Sequence, residues 1–203
     1  MLLAGLVSSY VSMPGERQTM DVKLKMNCRV QNRELLIEYW LNNHGNRPLL
    51  AYDAAPGLPV GAEWPNLDGQ IYISAVDGQV ALKRINPPLP SGKLINRTFV
   101  PPVSQVVPGR QREVRFRLQL PLIERSQYTP DFPGAQYQDQ TTRTIRLVIG
   151  YFLKNESTEL QPFPENPKAF RVRGPHGNQL FVYESCNAEV PVRVRTDDQF
   201  QRL

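Results

Sequence analysis

Six arginines recur at alternate positions, as Arg115 and Arg117, Arg171 and Arg173, and Arg193 and Arg195. A strand sends alternate residues to one face, so each pair lies opposite the apolar residues between and beside it. If the three strands are neighbours, six guanidinium groups crowd one exposed face. Like charges opposite one another repel unless acids or an anion intervene, so such a face recruits phosphate, an acidic polymer or an acidic protein patch. The competing reading puts the strands in different sheets, or pairs the arginines with Glu113, Glu184 and Glu189. A second surface comes from Trp64, Tyr128, Phe132, Tyr137 and Phe163, all on proline-rich loops. Aromatic residues on loops held by a rigid scaffold suit protein or glycan contact; they also serve as lids that fold back over the core. The residues expected to bind a partner are therefore Trp64, Tyr128, Phe132, Tyr137, Arg115, Arg117, Arg193 and Arg195.

Catalysis finds little support. His44 and His176 are the only histidines, and each stands in a His-Gly-Asn turn that turn chemistry explains. Ser74, Ser104 and Ser126 have no recognisable base nearby, and Asp131, Asp139, Asp197 and Asp198 read as solvated acids of loops and tail. Asp53 with Asn66 and Asp68 supplies two or three oxygen ligands, too few for calcium. No nucleotide-binding, metalloprotease or hydrolase motif occurs. The expectation is a protein that is not an enzyme and uses no cofactor or metal.

Cys28 and Cys186 are the only cysteines, outside any zinc-type array. Two free, buried thiols in a reducing compartment are expected in preference to a disulfide. A cytoplasmic location is accordingly favoured over a periplasmic one. The N-terminal MLLAGLVSSYVS lacks a basic n-region and is short for a secretory signal. No stretch has the apolar length of a membrane span. A net charge of +5 permits an anionic partner, without the clustered Lys/Arg runs of a dedicated nucleic-acid binder.

The elements that must position these residues are strands. Val22, Leu24, Met26, Cys28 and Val30 alternate with polar residues, and Leu35, Ile37, Tyr39 and Leu41 alternate in the opposite parity. With Gln31 and Asn32 as a hairpin loop, Cys28 opposes Leu35, Met26 opposes Ile37, Leu24 opposes Tyr39 and Val22 opposes Leu41, all on one face. A second hairpin sets Ile71, Ile73 and Ala75 against Val80 and Leu82 across Asp77-Gly78, a dipeptide favoured at type I′ turns. Further strands are expected at Arg47–Tyr52, Leu94–Val100, Val114–Leu120, Thr144–Leu153, Ala169–Arg173, Gln179–Glu184 and Glu189–Arg195. Thr144–Leu153, apolar on both faces apart from Arg146, suits a central strand. Pro121–Thr142 and Asn155–Lys168 read as long loops, consistent with 19 prolines. No helical periodicity occurs.

Tyr39-Trp40-Leu41-Asn42-Asn43-His44-Gly45, a strand running into an Asn/Gly turn, and Val107-Pro108-Gly109 leading into Val114-Arg115-Phe116-Arg117-Leu118 resemble bacterial immunoglobulin-like domains at the level of fold. The resemblance covers about Asp21 to Arg195; the antibody-type Cys…Trp…Cys arrangement is missing. It implies an all-β, antiparallel immunoglobulin-like β-sandwich of about nine or ten strands with long proline-rich loops. Residues 20–196 would be the single domain, between a flexible segment at 1–19 and a tail at 197–203. The function read from these features is a non-catalytic module for protein–protein interaction or a structural accessory role. The alternatives are a carbohydrate- or anion-binding module, with an acidic polymer or glycan as partner, and a protease-inhibitor-like sandwich presenting Pro121–Thr142. Open sheet edges also leave room for a sheet-edge homodimer.

Overall fold

The computed structural model describes residues 21–55, 63–68, 70–88, 100–126, 128, 134–173 and 178–196. The segment at 1–19, the strand at 94–99, Asp131, Phe132, His176 and the tail at 197–203 lie outside the described residues. Among the described residues there are twelve strands and no helix: β1 (Val22–Gln31), β2 (Glu34–Asn43), β3 (Leu49–Ala51), β4 (Tyr72–Val76), β5 (Gln79–Arg84), β6 (Ser104–Val106), β7 (Gln111–Gln119), β8 (Leu122–Ile123), β9 (Tyr137–Leu153), β10 (Glu159–Phe163), β11 (Asn166–Arg173) and β12 (Leu180–Arg195). No helix there is long and apolar enough to cross a membrane.

The first hairpin forms with its turn one residue later than expected. Asn32 and Arg33 adopt φ of 51° and 62°, the left-handed pair of a type I′ turn. Cys28 therefore opposes Ile37, Met26 opposes Tyr39 and Leu24 opposes Leu41. The pairing has moved by two residues, an even number, so every apolar side chain keeps its face. The second hairpin keeps the expected register: Ile73 opposes Leu82 and Ala75 opposes Val80, with Asp77 and Gly78 at φ of 51° and 74°.

β7 joins β2 to complete a three-stranded sheet in the order β1-β2-β7. The larger sheet runs β4-β5-β9-β12-β8, and β3 bridges β9 and β6 on its side. β9 is central, as its apolar faces suggest, but the sheet is mixed. β5 pairs with β9 in parallel, and β8 with β12 likewise, which corrects the purely antiparallel expectation. Core-facing residues of both sheets merge into one cluster, with Tyr39, Leu41, Phe116 and Leu118 from one and Leu82, Leu147, Ile149 and Val182 from the other. Behind the large sheet, Leu50, Tyr52, Val103 and Phe152 form a smaller core under Leu160, Phe170 and Val172 of the β10–β11 hairpin.

Two expected loops contain strands. Within Asn155–Lys168, Glu159–Phe163 is β10, and β11 starts at Asn166. A two-stranded sheet consists only of edges, so Pro162 and Pro167 are tolerated there. Within Pro121–Thr142, Leu122–Ile123 is β8 and Tyr137–Thr142 opens β9. Gln138–Thr141 are polar and exposed on both faces, so their extension is dictated by the partner strand: they face Pro191–Val194 of β12. That also shortens the loop on which an inhibitor-like reading rested, and it raises the strand number above nine or ten.

Cys28 and Cys186 form a disulfide, with Cα atoms 6.1 Å apart, correcting the expectation of free thiols. It joins β1 of the small sheet to β12 of the large one. Both positions face the shared core, where each sulfur finds the other.

Gly150 lies at a close approach in the large sheet. A Cβ there would lie 2.6 Å from Gln179 Oε1 and 3.2 Å from the Ile85 Cα. Gln179 is fixed, because its Oε1 accepts the Asn86 N–H at 2.7 Å and its Nε2 donates to the Asn86 carbonyl at 3.1 Å. Gly150→Ala is therefore expected to lose about 1–3 kcal/mol of stability through overpacking and loss of this clamp. Urea denaturation measures it; a midpoint equal to the parent's would show that the clamp yields freely.

Candidate functional site

The arginine ladder does not assemble. β7, β11 and β12 belong to three different sheets, so their outward residues share no face. Arg115, Arg117 and Arg193 instead meet acids. Arg115 sits directly across from Glu38, at 2.6 Å, and also reaches Glu113 at 2.8 Å. Arg193 faces Asp139 across β12–β9 at 3.2 Å, and Arg117 reaches Glu34 at 3.2 Å. Arg171 lies over the Phe163 ring at 5.3 Å. Arg195 is buried, which corrects its place on an exposed face. The β8 segment runs alongside the end of β12, where Glu124 Oε2 accepts the Arg195 backbone N–H at 2.9 Å.

The aromatic residues are distributed over separate elements. Trp64 is half-buried with Arg29 5.7 Å from its ring centroid, Tyr128 is half-buried, and Tyr137 begins β9 opposite Arg195. His44 is exposed in its turn, where its N–H donates to the Asp21 carbonyl at 2.6 Å. Asn66 and Asp68 hold their own loop, as Asn66 Oδ1 accepts the Asp68 N–H at 2.7 Å and Asp68 meets Arg125 at 3.4 Å. Among the described residues, no group of three or more His, Cys, Asp or Glu could hold a metal ion.

A polar centre lies instead between the two sheets, on residues that follow the apolar parity. Along β7, Arg112 continues the core-facing series Val114, Phe116, Leu118; along β5, Arg84 continues Val80 and Leu82. Both arginines thus reach into the inter-sheet space at one end of the core. Asp53, just after β3, meets them there with its side chain fully buried. Arg112 Nε donates to Asp53 Oδ2 at 3.0 Å, the Tyr39 hydroxyl donates to the same oxygen at 2.9 Å, and the Ser104 hydroxyl donates to Oδ1. Burial opposes ionisation of Asp53, but the charges of Arg112 and Arg84 and the bonds from Ser104 and Arg112 outweigh it and hold the carboxyl below its usual range. Burial, then the neighbouring carboxylate, pushes the Tyr39 hydroxyl far up.

Arg84 is the member left incomplete. It is 4% exposed, one terminal nitrogen donates to the Ala54 carbonyl at 3.3 Å, and its Nε has no acceptor. A buried charged donor in this condition is costly. Asp53, Arg84 and Arg112 line a cavity of about 290 Å3, with Leu67 and Val114 among its apolar walls and exposed Arg115 and Lys168 on its rim. Two guanidinium groups against one carboxylate leave one net positive charge on its floor. A larger groove of about 650 Å3 runs past Val30, Pro121 and the Arg193–Asp139 pair, whose charges already satisfy each other.

The sequence pattern draws attention to Arg115, Arg117, Arg193 and Arg195 and passes over Arg84 and Arg112. The available signal was parity: an arginine that continues a core-facing ladder must find a buried acid or line a cavity. Compared with protein families, curated proteins and solved structures, the chain matches none.

Proposed function

We propose that the chain is a non-catalytic, immunoglobulin-like β-sandwich that works as an interaction module and holds an anionic group of its partner in the cavity floored by Arg84, Arg112 and Asp53. The observation that carries this reading is the pair of guanidinium groups, Arg84 and Arg112, lining one cavity with a single carboxylate between them and two further cations, Arg115 and Lys168, beside it. Charge-assisted bonds to guanidinium are the strong ones, so an incoming anion gains most at this point. The sandwich reading rests on two sheets facing across a common core. The non-catalytic reading rests on the site's composition: Ser104 and Asp53 have no imidazole beside them among the described residues, and Tyr39 is held protonated. The disulfide favours an oxidising compartment over the cytoplasm, because such bonds persist there.

The test follows amide chemical shifts while acetate and inorganic phosphate are titrated in turn. Saturable shifts around Arg84 and Arg112 are expected with at least one of them. Arg84→Met should weaken that binding about 10–100-fold, the worth of a charged hydrogen bond, while Arg173→Met leaves it unchanged. Absence of saturable shifts in the parent protein with both anions would overturn the reading.

A further inference from the structure

Resting on that reading, we infer that the anionic group is a carboxylate on an aliphatic stem, presented by a polypeptide partner as an acidic side chain or as its C-terminus. Three observations carry this. First, the floor holds one net positive charge, since Asp53 is ionised between the two arginines. A monoanion neutralises it, whereas a dianionic phosphate adds a second negative charge close to the buried Asp53 carboxylate. Second, a guanidinium is a planar fork that matches a planar carboxylate, and two of them, Arg84 and Arg112, line the cavity. Third, the walls are aliphatic. Ala55, Pro65, Leu67, Val114 and Pro167 line the cavity, and among the described residues no aromatic ring does. Aliphatic walls suit the methylenes of an acidic side chain, and they lack the aromatic face on which a sugar ring stacks. Lys168 on the rim, exposed and outside any ion pair among the described residues, adds a positive field that draws an acidic chain toward the opening.

Four probes decide the matter on the intact protein by calorimetry and amide shifts: a short amidated peptide with one internal Glu, the same peptide with Glu replaced by Gln and a free C-terminus, glucuronate, and inorganic phosphate at pH 8. Either peptide should bind at least about tenfold more tightly than phosphate and glucuronate, and should lose that margin in Arg84→Met. Which peptide wins distinguishes a side chain from a chain terminus. Lys168→Glu, at an exposed position that makes no hydrogen bond to Asp53, should weaken the same peptide several-fold without altering the urea midpoint. This control separates a binding role for the cavity from a purely structural one. Phosphate or glucuronate binding as tightly as the peptides would overturn the carboxylate inference while leaving an anion site in place. Silence from all four would overturn the anion site itself.

Discussion

Replacing both Cys28 and Cys186 by Ser lowers the unfolding free energy by about 3–5 kcal/mol, and reducing the parent protein has the same effect. The bond spans 158 positions of the chain. Cross-linking so long a loop removes denatured-state entropy worth about 5 kcal/mol, from which any native strain subtracts. Domains of this kind are stable by about 5–15 kcal/mol in all, so the loss is a large fraction of the total. The position of the bond reinforces the effect. β1 is an outer strand of the three-stranded sheet, and the Leu180–Asn187 half of β12 pairs with β9 alone. The disulfide is thus the covalent link between two layers otherwise joined by packing along that flank. Denaturation with and without reductant tests this. Parent protein with reductant should coincide with the double-Ser variant, and a shift smaller than about 1 kcal/mol would refute it.

Asp53→Ala is the second large effect, at about 3–5 kcal/mol. The carboxylate is the acceptor for Tyr39, Ser104 and Arg112 at once. Its removal leaves Arg112 and two buried hydroxyls without their acceptor and buried Arg84 without a counter-charge, and breaking a buried pair from one side costs this much. Asp53→Asn keeps the shape and loses the charge, so it should fall in the same range. The pH dependence has a definite sign. Against the opposing effect of burial, Asp53 is held below the ordinary aspartate value of 3.8 in the folded protein by the charges of Arg112 and Arg84. Its contribution is therefore complete above that value and is lost as the pH falls through the lower, folded one. Parent stability should drop more steeply than that of Asp53→Asn below about pH 4, narrowing the gap between them. A constant gap from pH 6 to pH 2.5 would show that the charge is not what stabilises the site.

What the sequence makes legible follows from where the forces are local. The Asp77-Gly78 turn is readable because that dipeptide tolerates positive φ without cost, and its register follows. The Asn32-Arg33 turn is harder, since arginine is no usual occupant of φ 62°; the faces survive only because the displacement is even. Gln138–Thr141 carries no alternation at all, and its strand conformation is conferred by β12, about fifty residues away. The parallel β5–β9 and β8–β12 pairs are equally invisible, because no turn joins parallel neighbours. At the site, charge draws the eye to the outward arginines, of which Arg115, Arg117 and Arg193 are matched with acids on neighbouring strands. Arg84 and Arg112 were legible only by asking which arginines break an apolar ladder from within.

The placement of β3 bears on how the chain is made. Leu49, Leu50 and Ala51 are fully buried, yet they are held by Ser104–Val106 and by Tyr151–Leu153. Both partners emerge later from the ribosome, the second about a hundred residues afterwards. At about 5–20 residues per second, a nascent chain carries this apolar triplet uncovered for about 5–20 s, while the first hairpin can already close behind it. Slow closure of distant pairings is the rule for such topologies. Leu49–Ala51 is consequently a segment that gains from a chaperone's shelter during synthesis.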